Sequence, residues 1–520
     1  MKNSQTTLRS YLFIAFVEGS AVMASELLGA KMIAPFYGSS LLVWSSVIGV
    51  TLAALATGYF VGGYLADRFT GNTLLFTVLA FGAAFVGLMP VSARIIMDAT
   101  LELGVRVGSL ISTLVFLFPP LVCMGMVSPI IIRLASKDVQ HTGRTAGTVY
   151  AISTLGGIIA TFLAGFYAIP TWGITIPALV TASALGVFPI LYFLSSKRLP
   201  IGAGLVVLLA GLFLGLGREK ADPTVLYQSE GLLGQVIVSQ FEQVVNDTTY
   251  RNRVLFVNRL PQANASLPTG YSLWPYVHCA STIASIKPVG SKALVLGMGG
   301  GSVADEFLRL GFEVEACEFD ERIAEAAKKY FYPHENYPVH LDDARHFIRT
   351  TGNRYDIVIF DVFTGEQQPP HVLTAESFQE VKGILAPDGL VLVNFTGVLS
   401  GDRGLGARSL IKTLKENGFD LRVLATPGKE ESRNLLLVAS PTKIDLSGLS
   451  VGRQNECCRT ITRVPIPLPF TPLEKIPLAD AVVLRDDRPI LELLNLRVNE
   501  SWRKQMMVHY HEQFRGSVFY

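Results

Sequence analysis

Long apolar runs separated by short polar segments make up most of the first 217 residues. Each run approaches the ~20 residues that an α-helix needs to cross the hydrocarbon core of a bilayer. The pattern therefore predicts a membrane domain of about seven helices over residues 1–218. The runs lie at about 11–30, 41–65, 74–92, 107–134, 147–169, 173–195 and 200–217.

The apolar runs become short beyond residue 218. Strand-like segments at 234–241 and 253–258 predict a small β-strand domain over 224–275. From Lys292, five apolar runs alternate with helical stretches, which predicts an α/β domain over 276–440 with a parallel sheet and helices on both faces. These runs lie at 293–297, 312–319, 355–363, 390–395 and 435–440. We expect a proline-rich C-terminal extension, residues 441–520, to wrap the surface.

Charge divides the chain at the same place. Only 17% of all residues are charged, against roughly 25% in a soluble protein, and only 17 of the charged residues precede residue 218. This low charge excludes a purely soluble protein and makes a lipid bilayer an expected partner. Neither half carries the strongly basic balance that nucleic-acid binding needs, so no nucleic acid is expected.

The sidedness of the membrane stays open. A cytoplasmic N-terminus agrees with the positive-inside rule, but seven spans would then export the second half of the chain. Either the N-terminus lies outside, or one run, most simply 200–217, does not cross. We expect a multi-pass protein of the cell membrane whose enzymatic half faces the cytoplasm.

Two carboxylates, Glu18 and Glu26, lie in the first apolar run. An ionised carboxylate in hydrocarbon costs ~3 kcal/mol or more unless it is paired or faces water. A functional role and pairing of Glu26 with Lys31 or Arg133 are both open.

A glycine-rich sequence, Gly297-Met298-Gly299-Gly300-Gly301-Ser302, follows the first strand of the α/β domain. Such glycines let the backbone approach a ligand closely. Glu318 ends the second strand, at the distance where an acidic side chain accepts hydrogen bonds from ribose hydroxyls. The two features together indicate a cofactor that contains adenosine.

The acids after the next strands favour one kind of adenosyl cofactor. Asp342 and Asp343 follow the third strand and suit an adenine amino group, while Asp361 ends the fourth and faces the ligand crevice. Ser302 stands where a dinucleotide site usually has a third glycine. The pattern favours S-adenosylmethionine or its decarboxylated form over NAD. Neither the five cysteines nor the eight histidines form a metal-binding motif, so no metal is expected.

Over Tyr227 to Ser440 the chain resembles the spermidine synthases, which are polyamine aminopropyltransferases. The matching stretches are VLGMGGGSVADEFLRLGFEVEACEFDERIAEAAKKYF, LDDARHF and YDIVIFDVFTGEQQPPHVLTAESFQEVKGILAPDGLVLVNF. The first half is similar to the integral-membrane spermidine synthase-like group through ELLGAKMIAPFYGSSLLVW and GGYLADR.

The resemblance implies a small β domain followed by a methyltransferase-like (Rossmann-like) sheet. It implies transfer of an aminopropyl group from decarboxylated S-adenosylmethionine to a diamine such as putrescine, which gives spermidine and methylthioadenosine without a metal. A homodimer is left open. The implied roles are catalysis by Asp361 with Tyr276; cofactor binding by Gln235, Gly297, Gly299, Gly300, Gly301, Glu318, Asp342 and Asp343; and acceptor binding by His278 and Thr364.

Two departures weaken the case for a diamine acceptor. Soluble spermidine synthases carry aspartates where this chain has Gly300 and Thr364, and both aspartates normally hold the cationic acceptor. Asp486 and Asp487 are candidate replacements, although a solvated turn that caps the helix after Pro489 is equally open. Glu366 is expected to be an ordinary loop acid.

Two other functions remain open at this stage. One is methyl transfer, or other nucleoside-sulfonium chemistry, from intact S-adenosylmethionine. The other is polyamine transport by the membrane half, with the second half as a cofactor-binding sensor.

Overall fold

The computed structural model describes residues 2–514 except 39, 70, 137–141, 197–198, 217–223, 232, 246–247, 268, 332–336, 431–432, 448 and 456–459. The chain forms two compact units. The first comprises residues 1–221 with 229–235, and the second comprises 222–228 with 236–520. The finer division into four domains stays a prediction.

The first unit is helical. Its helices are α1 (Lys2–Tyr37), α2 (Leu41–Arg68), α3 (Asn72–Thr100), α4 (Gly104–Phe116), α5 (Phe118–Ala135), α6 (Thr142–Leu163), α7 (Ile169–Trp172), α8 (Thr175–Ser195) and α9 (Leu199–Leu216). Pro119 and Pro120 lie in the first turn of α5, where their missing N–H groups need no partner.

Six helical stretches among the described residues are long and apolar enough to cross a membrane, compared with the seven predicted. They are Leu8–Tyr37, Leu41–Arg68, Asn72–Phe116, Phe118–Ala135, Thr142–Trp172 and Thr175–Ser195. The seventh predicted run lies in α9, where the apolar stretch Ala203–Leu212 is shorter. The 45-residue stretch Asn72–Phe116 is not one rod, because a 3-10 turn at Leu101–Leu103 separates α3 from α4 and the two helices pack on each other.

Small residues bring α1 and α6 into backbone contact. A Cβ atom added to Gly156 would lie 2.1 Å from the carbonyl oxygen of Phe16, and one added to Gly19 would lie 2.0 Å from that of Ser153. Glu18 is buried at this crossing and accepts a hydrogen bond of 3.1 Å from Ser153 Oγ. Close contact through glycine is a common way for helices to associate without a hydrophobic driving force.

Arg133, one of the two basic residues proposed above as partners for Glu26, has another partner. Arg133 Nε lies 3.7 Å from Asp67 Oδ1, and both side chains are exposed. Pairing of Glu26 with Lys31 and a functional role for Glu26 stay open.

Two main sheets lie in the second half of the chain, and the parts of the smaller sheet within residues 229–235 belong to the first unit. A four-stranded sheet has the order β1-β2-β3-β4, and an eight-stranded sheet has the order β14-β10-β11-β9-β8-β5-β6-β7. The strands are β1 (Val225–Gly231), β2 (Gly234–Val245), β3 (Thr248–Val257), β4 (Leu260–Leu267), β5 (Lys292–Leu296), β6 (Glu313–Glu318), β7 (Val339–Leu341), β8 (Tyr355–Phe360), β9 (Leu385–Thr396), β10 (Asp420–Ala425), β11 (Asn434–Ser440), β12 (Ser450–Asn455), β13 (Thr460–Pro467) and β14 (Phe470–Thr471).

The helices of this half are α10 (Pro275–Ala284), α11 (Ser302–Arg309), α12 (Glu321–Tyr330), α13 (Ala344–Thr350), α14 (Ala375–Ile384), α15 (Leu405–Glu416) and α16 (Leu491–Phe514). Five of them, α11 to α15, lie between strands of the larger sheet, whereas α10 precedes its first strand and α16 follows its last. Alternate residues of β5 enter different apolar clusters, Leu294 and Leu296 on one face of the sheet and Ala293 and Val295 on the other. A strand that is apolar on both faces is typical of a sheet covered by helices on both sides.

The larger sheet is parallel from β7 to β9, as predicted, but not beyond. Strand β11, expected to be parallel, pairs antiparallel with both β9 and β10. No helix lies between β10 and β11 in the described chain, and a parallel pair would need such a crossover. Strand β14, from the C-terminal extension, pairs with β10 at the sheet edge.

We expect Gly156→Leu to destabilise the first unit, because the new side chain would enter the backbone of α1. Overpacking of this kind costs ~1 to 3 kcal/mol or more. Thermal unfolding of the detergent-solubilised protein should occur at a lower temperature than in the wild type. Gly147→Leu is the matched control on the same helix, because a Cβ atom at Gly147 has nothing within 4 Å. Equal unfolding temperatures for the two variants would contradict the close crossing.

Candidate active site

The glycine-rich turn and Asp361 meet at the point where the strand order of the larger sheet reverses. Strands β5 and β8 are parallel neighbours, and the chain leaves β5 toward β6 on the opposite side. The Asp361 N–H donates to the Leu296 carbonyl at 2.8 Å. Open α/β sheets bind ligands in the crevice at such a reversal, beyond the carboxyl ends of the strands.

Gly297 permits this close meeting of strand ends. Its φ is +85°, and a Cβ atom at this position would lie 2.3 Å from the carbonyl oxygen of Asp361. Any other residue would be strained by the φ value and would also push the two strand ends apart.

Two neutral donors orient the Asp361 carboxylate. Tyr276 OH donates to Oδ2 at 2.8 Å, and Asn394 Nδ2 donates to Oδ1 at 2.7 Å. Burial raises the pKa of Asp361 to about 6, although both hydrogen bonds act in the opposite direction. The carboxyl group is therefore mainly ionised at pH 7 and can accept a proton.

Tyr276 stays protonated in this arrangement. Burial, followed by the charge of Asp361 and the hydrogen bond to it, raises the pKa of Tyr276 well above its usual value. The phenol therefore acts as a fixed donor that holds one carboxylate oxygen in place.

Asn394 was not predicted from the sequence. It lies near the carboxyl end of β9, where it is buried, and its Oδ1 accepts a hydrogen bond of 2.8 Å from Asn434 Nδ2. This bond fixes the amide so that its nitrogen faces Asp361. The available signal was a single polar residue at the end of the apolar run LVLVNF.

The glycine-rich turn has no room for a side chain at its centre. A Cβ atom on Gly300 would lie 2.6 Å from Ala263 Cβ and 3.0 Å from Phe331 Cδ1. The aspartate that soluble spermidine synthases carry here would therefore require β4 to move. Gly299 and Gly301 have φ values of +51° and +80°, a backbone conformation that favours glycine.

Glu318 is buried beside the turn at the end of β6. Its carboxylate accepts hydrogen bonds from the backbone N–H groups of Met298, at 3.0 Å, and Asp320, at 2.9 Å. Burial raises the pKa of Glu318, against these bonds. The bond to Met298 ties the acid to the glycine-rich turn.

Asp343 caps the N-terminus of α13 after β7. One carboxylate oxygen accepts from the N–H groups of Arg345 and His346, and the other lies 3.0 Å from His371 Nε2. Burial alone would raise the pKa of Asp343, but the hydrogen bonds of His371, His346 and Arg345 lower it overall. Asp342 Oδ2 lies 2.6 Å from His346 Nδ1.

Two apolar side chains at the same edge of the sheet were also missed. Phe319, which follows β6, is 62% exposed. Leu341, the last residue of β7, is 54% exposed. Exposed apolar groups next to Glu318 and Asp342 suit the faces of a planar base. Their positions directly beside the predicted acids were the available sequence signal.

Other predicted residues have partners away from Asp361. His278 Nε2 lies 2.7 Å from the Ser272 carbonyl oxygen. Gln235 donates to Glu230 Oε1 at 3.0 Å, and both residues belong to the first unit. Thr364 is exposed, and its N–H donates to the Gln367 carbonyl at 2.7 Å.

Asp486 and Asp487, the candidate replacements for the aspartates that are missing at positions 300 and 364, differ in their contacts. Asp486 Oδ2 accepts from Arg345 Nη2 at 2.7 Å, and its Oδ1 accepts from Thr374 Oγ1 at 2.7 Å. Asp487 is exposed. The expectation for Glu366 was wrong, because this acid is buried and forms an ion pair with Arg503 of α16.

Comparison with known proteins finds one family model and several relatives similar to this chain. The family model for the spermine/spermidine synthase domain matches residues 279–400. A polyamine aminopropyltransferase of Vibrio vulnificus is 34% identical over 128 residues, which are 23% of this chain and 43% of the relative. The chain thus spans less than half the length of this relative.

Two further relatives cover very different shares of this chain. Polyamine aminopropyltransferase 2 of Aquifex aeolicus is 24% identical over 436 residues, 78% of this chain and 82% of the relative. An N-terminal histidine N-methyltransferase of Emericella nidulans is 32% identical over 116 residues, 21% of each chain. Residues 279–400 therefore match the spermine/spermidine synthase domain, and parts of the chain are similar to polyamine aminopropyltransferases.

Proposed function

We propose that the chain is a membrane-anchored aminopropyltransferase. It transfers an aminopropyl group from decarboxylated S-adenosylmethionine to an amine acceptor, with putrescine as the first candidate. The observation that carries the proposal is the Asp361 carboxylate, held by Tyr276 and Asn394 directly beside the turn that begins at Gly297. The apolar helices of the first unit support the anchoring.

The residues around the turn fit an adenosyl sulfonium donor. Glu318 can accept hydrogen bonds from ribose hydroxyls, and Asp343 can accept one from an adenine amino group. Phe319 and Leu341 offer apolar contact to the faces of the base. The open space at Gly299, whose added Cβ atom would meet only the Gln262 carbonyl oxygen at 3.7 Å, leaves room for a ligand against the turn.

The chemical step needs a proton acceptor more than a metal or a nucleophilic residue. A primary amine is protonated near pH 7, so its nitrogen must lose a proton before it can attack. In the proposed reaction Asp361 accepts that proton, the nitrogen bonds to the aminopropyl carbon, and the carbon–sulfur bond breaks. The electron pair of the broken carbon–sulfur bond stays on sulfur, and neutral methylthioadenosine leaves.

Methyl transfer from intact S-adenosylmethionine is the second candidate. The similarity to a histidine N-methyltransferase over 116 residues favours it, because the glycine-rich turn suits either sulfonium donor. Polyamine transport by the first unit stays a prediction.

A mixed donor assay should separate these candidates. With decarboxylated and intact S-adenosylmethionine both present and a panel of di- and polyamines as acceptors, we expect methylthioadenosine as the nucleoside product. Chromatography of the products checks this outcome. Formation of S-adenosylhomocysteine alone would contradict aminopropyl transfer and select the second candidate.

Asp361→Asn should abolish most turnover and leave the fold intact. Loss of a general base typically lowers the rate by ~10²- to 10⁴-fold. Because burial raises the pKa of Asp361 to about 6, ionisation of this carboxyl is unfavourable to folding above that pH, and a neutral amide removes this penalty. Rates of methylthioadenosine formation and thermal unfolding at pH 7 test both points.

The matched control for this substitution is Asp445→Asn, an exposed aspartate. It should keep wild-type turnover and stability. If Asp361→Asn also retained turnover, Asp361 would not be the proton acceptor.

The pH profile should depend on Asn394. Below about pH 6 Asp361 binds a proton and kcat/KM should fall. Asn394→Ala removes a bond that favours the ionised form, so the acid limb should move to higher pH by roughly one unit, since hydrogen bonds to charged groups are worth ~1.5 to 3 kcal/mol. Asn353→Ala, whose amide binds Glu315 instead, should leave the limb in place.

A further inference from the structure

The loop that follows Asp361 is fastened by groups from three other elements. Gln262 of β4 donates to the Gly365 carbonyl at 3.0 Å. Gln368 donates to the Asn394 carbonyl, next to the group that orients Asp361. The third group is Arg503 of α16, whose Nη2 donates to Glu366 Oε2.

The pair formed by Arg503 and Glu366 is withdrawn from solvent. Each side chain is only 4% exposed. Gly365 adjoins the pair in the left-handed backbone conformation that favours glycine, with a φ of +72°. A buried ion pair is weak evidence for a gain in stability, since apolar replacements of both partners are often as stable. Such a pair is better explained by the geometry that it imposes.

The same face of α16 makes a second contact at this edge of the sheet. Asn495, Asn499 and Arg503 are spaced four residues apart and are all buried. Asn495 Nδ2 donates to the Thr396 carbonyl at 2.8 Å and lies 2.8 Å from Asn499 Oδ1. This polar stripe therefore contacts the chain after β8 and the carboxyl end of β9, the two strands that supply Asp361 and Asn394.

We propose that Arg503 is a positioning residue for the acceptor side of the transfer reaction. By pairing with Glu366 it fixes the loop of residues 362–368, so that the C-terminal helix completes the site at which the amine meets Asp361. This inference rests on the proposed function. Glu318 and Asp343 follow other strands, so binding of the nucleoside does not depend on this pair.

The test uses the full-length protein with both charges removed together, as Glu366→Met with Arg503→Met. This double variant leaves no buried charge without a partner. The matched control is Arg408→Met with Asp480→Asn. That ion pair also attaches the C-terminal segment, with the Arg408 side chain 3% exposed, and the hydrogen bonds of Arg408 go to Asp480 and to the Leu399 and Gly401 carbonyls.

We expect the KM for the amine acceptor to rise at least tenfold in the double variant, with the Kd for methylthioadenosine within twofold of wild type and an unchanged unfolding temperature. The control should match wild type in the acceptor KM and in the Kd for methylthioadenosine, but it should unfold at a lower temperature, because Arg408 also donates to the Leu399 and Gly401 carbonyls. An unchanged acceptor KM would overturn the proposal. So would a parallel loss of acceptor and nucleoside binding together with a lower unfolding temperature, because that result indicates a purely structural pair.

Hydrogen–deuterium exchange separates this inference from the proposed function. Amides of residues 362–368 should exchange faster in the double variant than in wild type, while the control should show no change. Unaltered exchange would show that the pair does not fix the loop, whatever the protein catalyses. If the double variant exchanges faster but the wild-type protein forms no methylthioadenosine, the pair fixes the loop but Arg503 has no role in aminopropyl transfer.

Discussion

The contact between the backbone at Gly297 and the backbone at Asp361 constrains the rest of the active site. Parallel strands β5 and β8 end side by side, and the missing side chain at Gly297 lets their next residues touch. This contact sets the distance between the glycine-rich turn, which would face the proposed donor, and the carboxylate that would accept a proton. The neighbouring strands then supply the remaining groups in order, Glu318 from β6 on one side and Asn394 from β9 on the other.

Burial gives the central carboxylate its chemical character. Two neutral hydrogen-bond donors hold Asp361 without neutralising it, whereas an arginine or lysine in their place would lower its pKa and make it a poorer base. By contrast, Asp343 receives bonds from His371 and a helix N-terminus, and its pKa is lowered. The two acids at one edge of a sheet therefore suit different tasks, one exchanging a proton and the other remaining an acceptor of hydrogen bonds.

The sequence allowed the alternation of strands and helices, the glycine-rich turn and the acids at strand ends to be predicted, because these features are local. Strand β11 was misjudged because its apolar run looks the same in parallel and antiparallel pairs, and only the missing crossover helix distinguishes them. Asn394 and the partner of Glu366 could not be found by spacing. Glu366 and Arg503 are 137 positions apart in the chain. The residues around Glu366 in the sequence therefore do not indicate that a distant helix buries this loop acid.

The crowded centre of the glycine-rich turn has a consequence for how this site could change during evolution. Ala263 belongs to the small sheet, yet its methyl group occupies the space that a side chain at position 300 would need. An aspartate at position 300 would therefore need a change in β4, because its Cβ atom would lie 2.6 Å from Ala263 Cβ whatever residue stands at position 331. The size of the residue that fits at position 300 is therefore set by the packing of a different sheet.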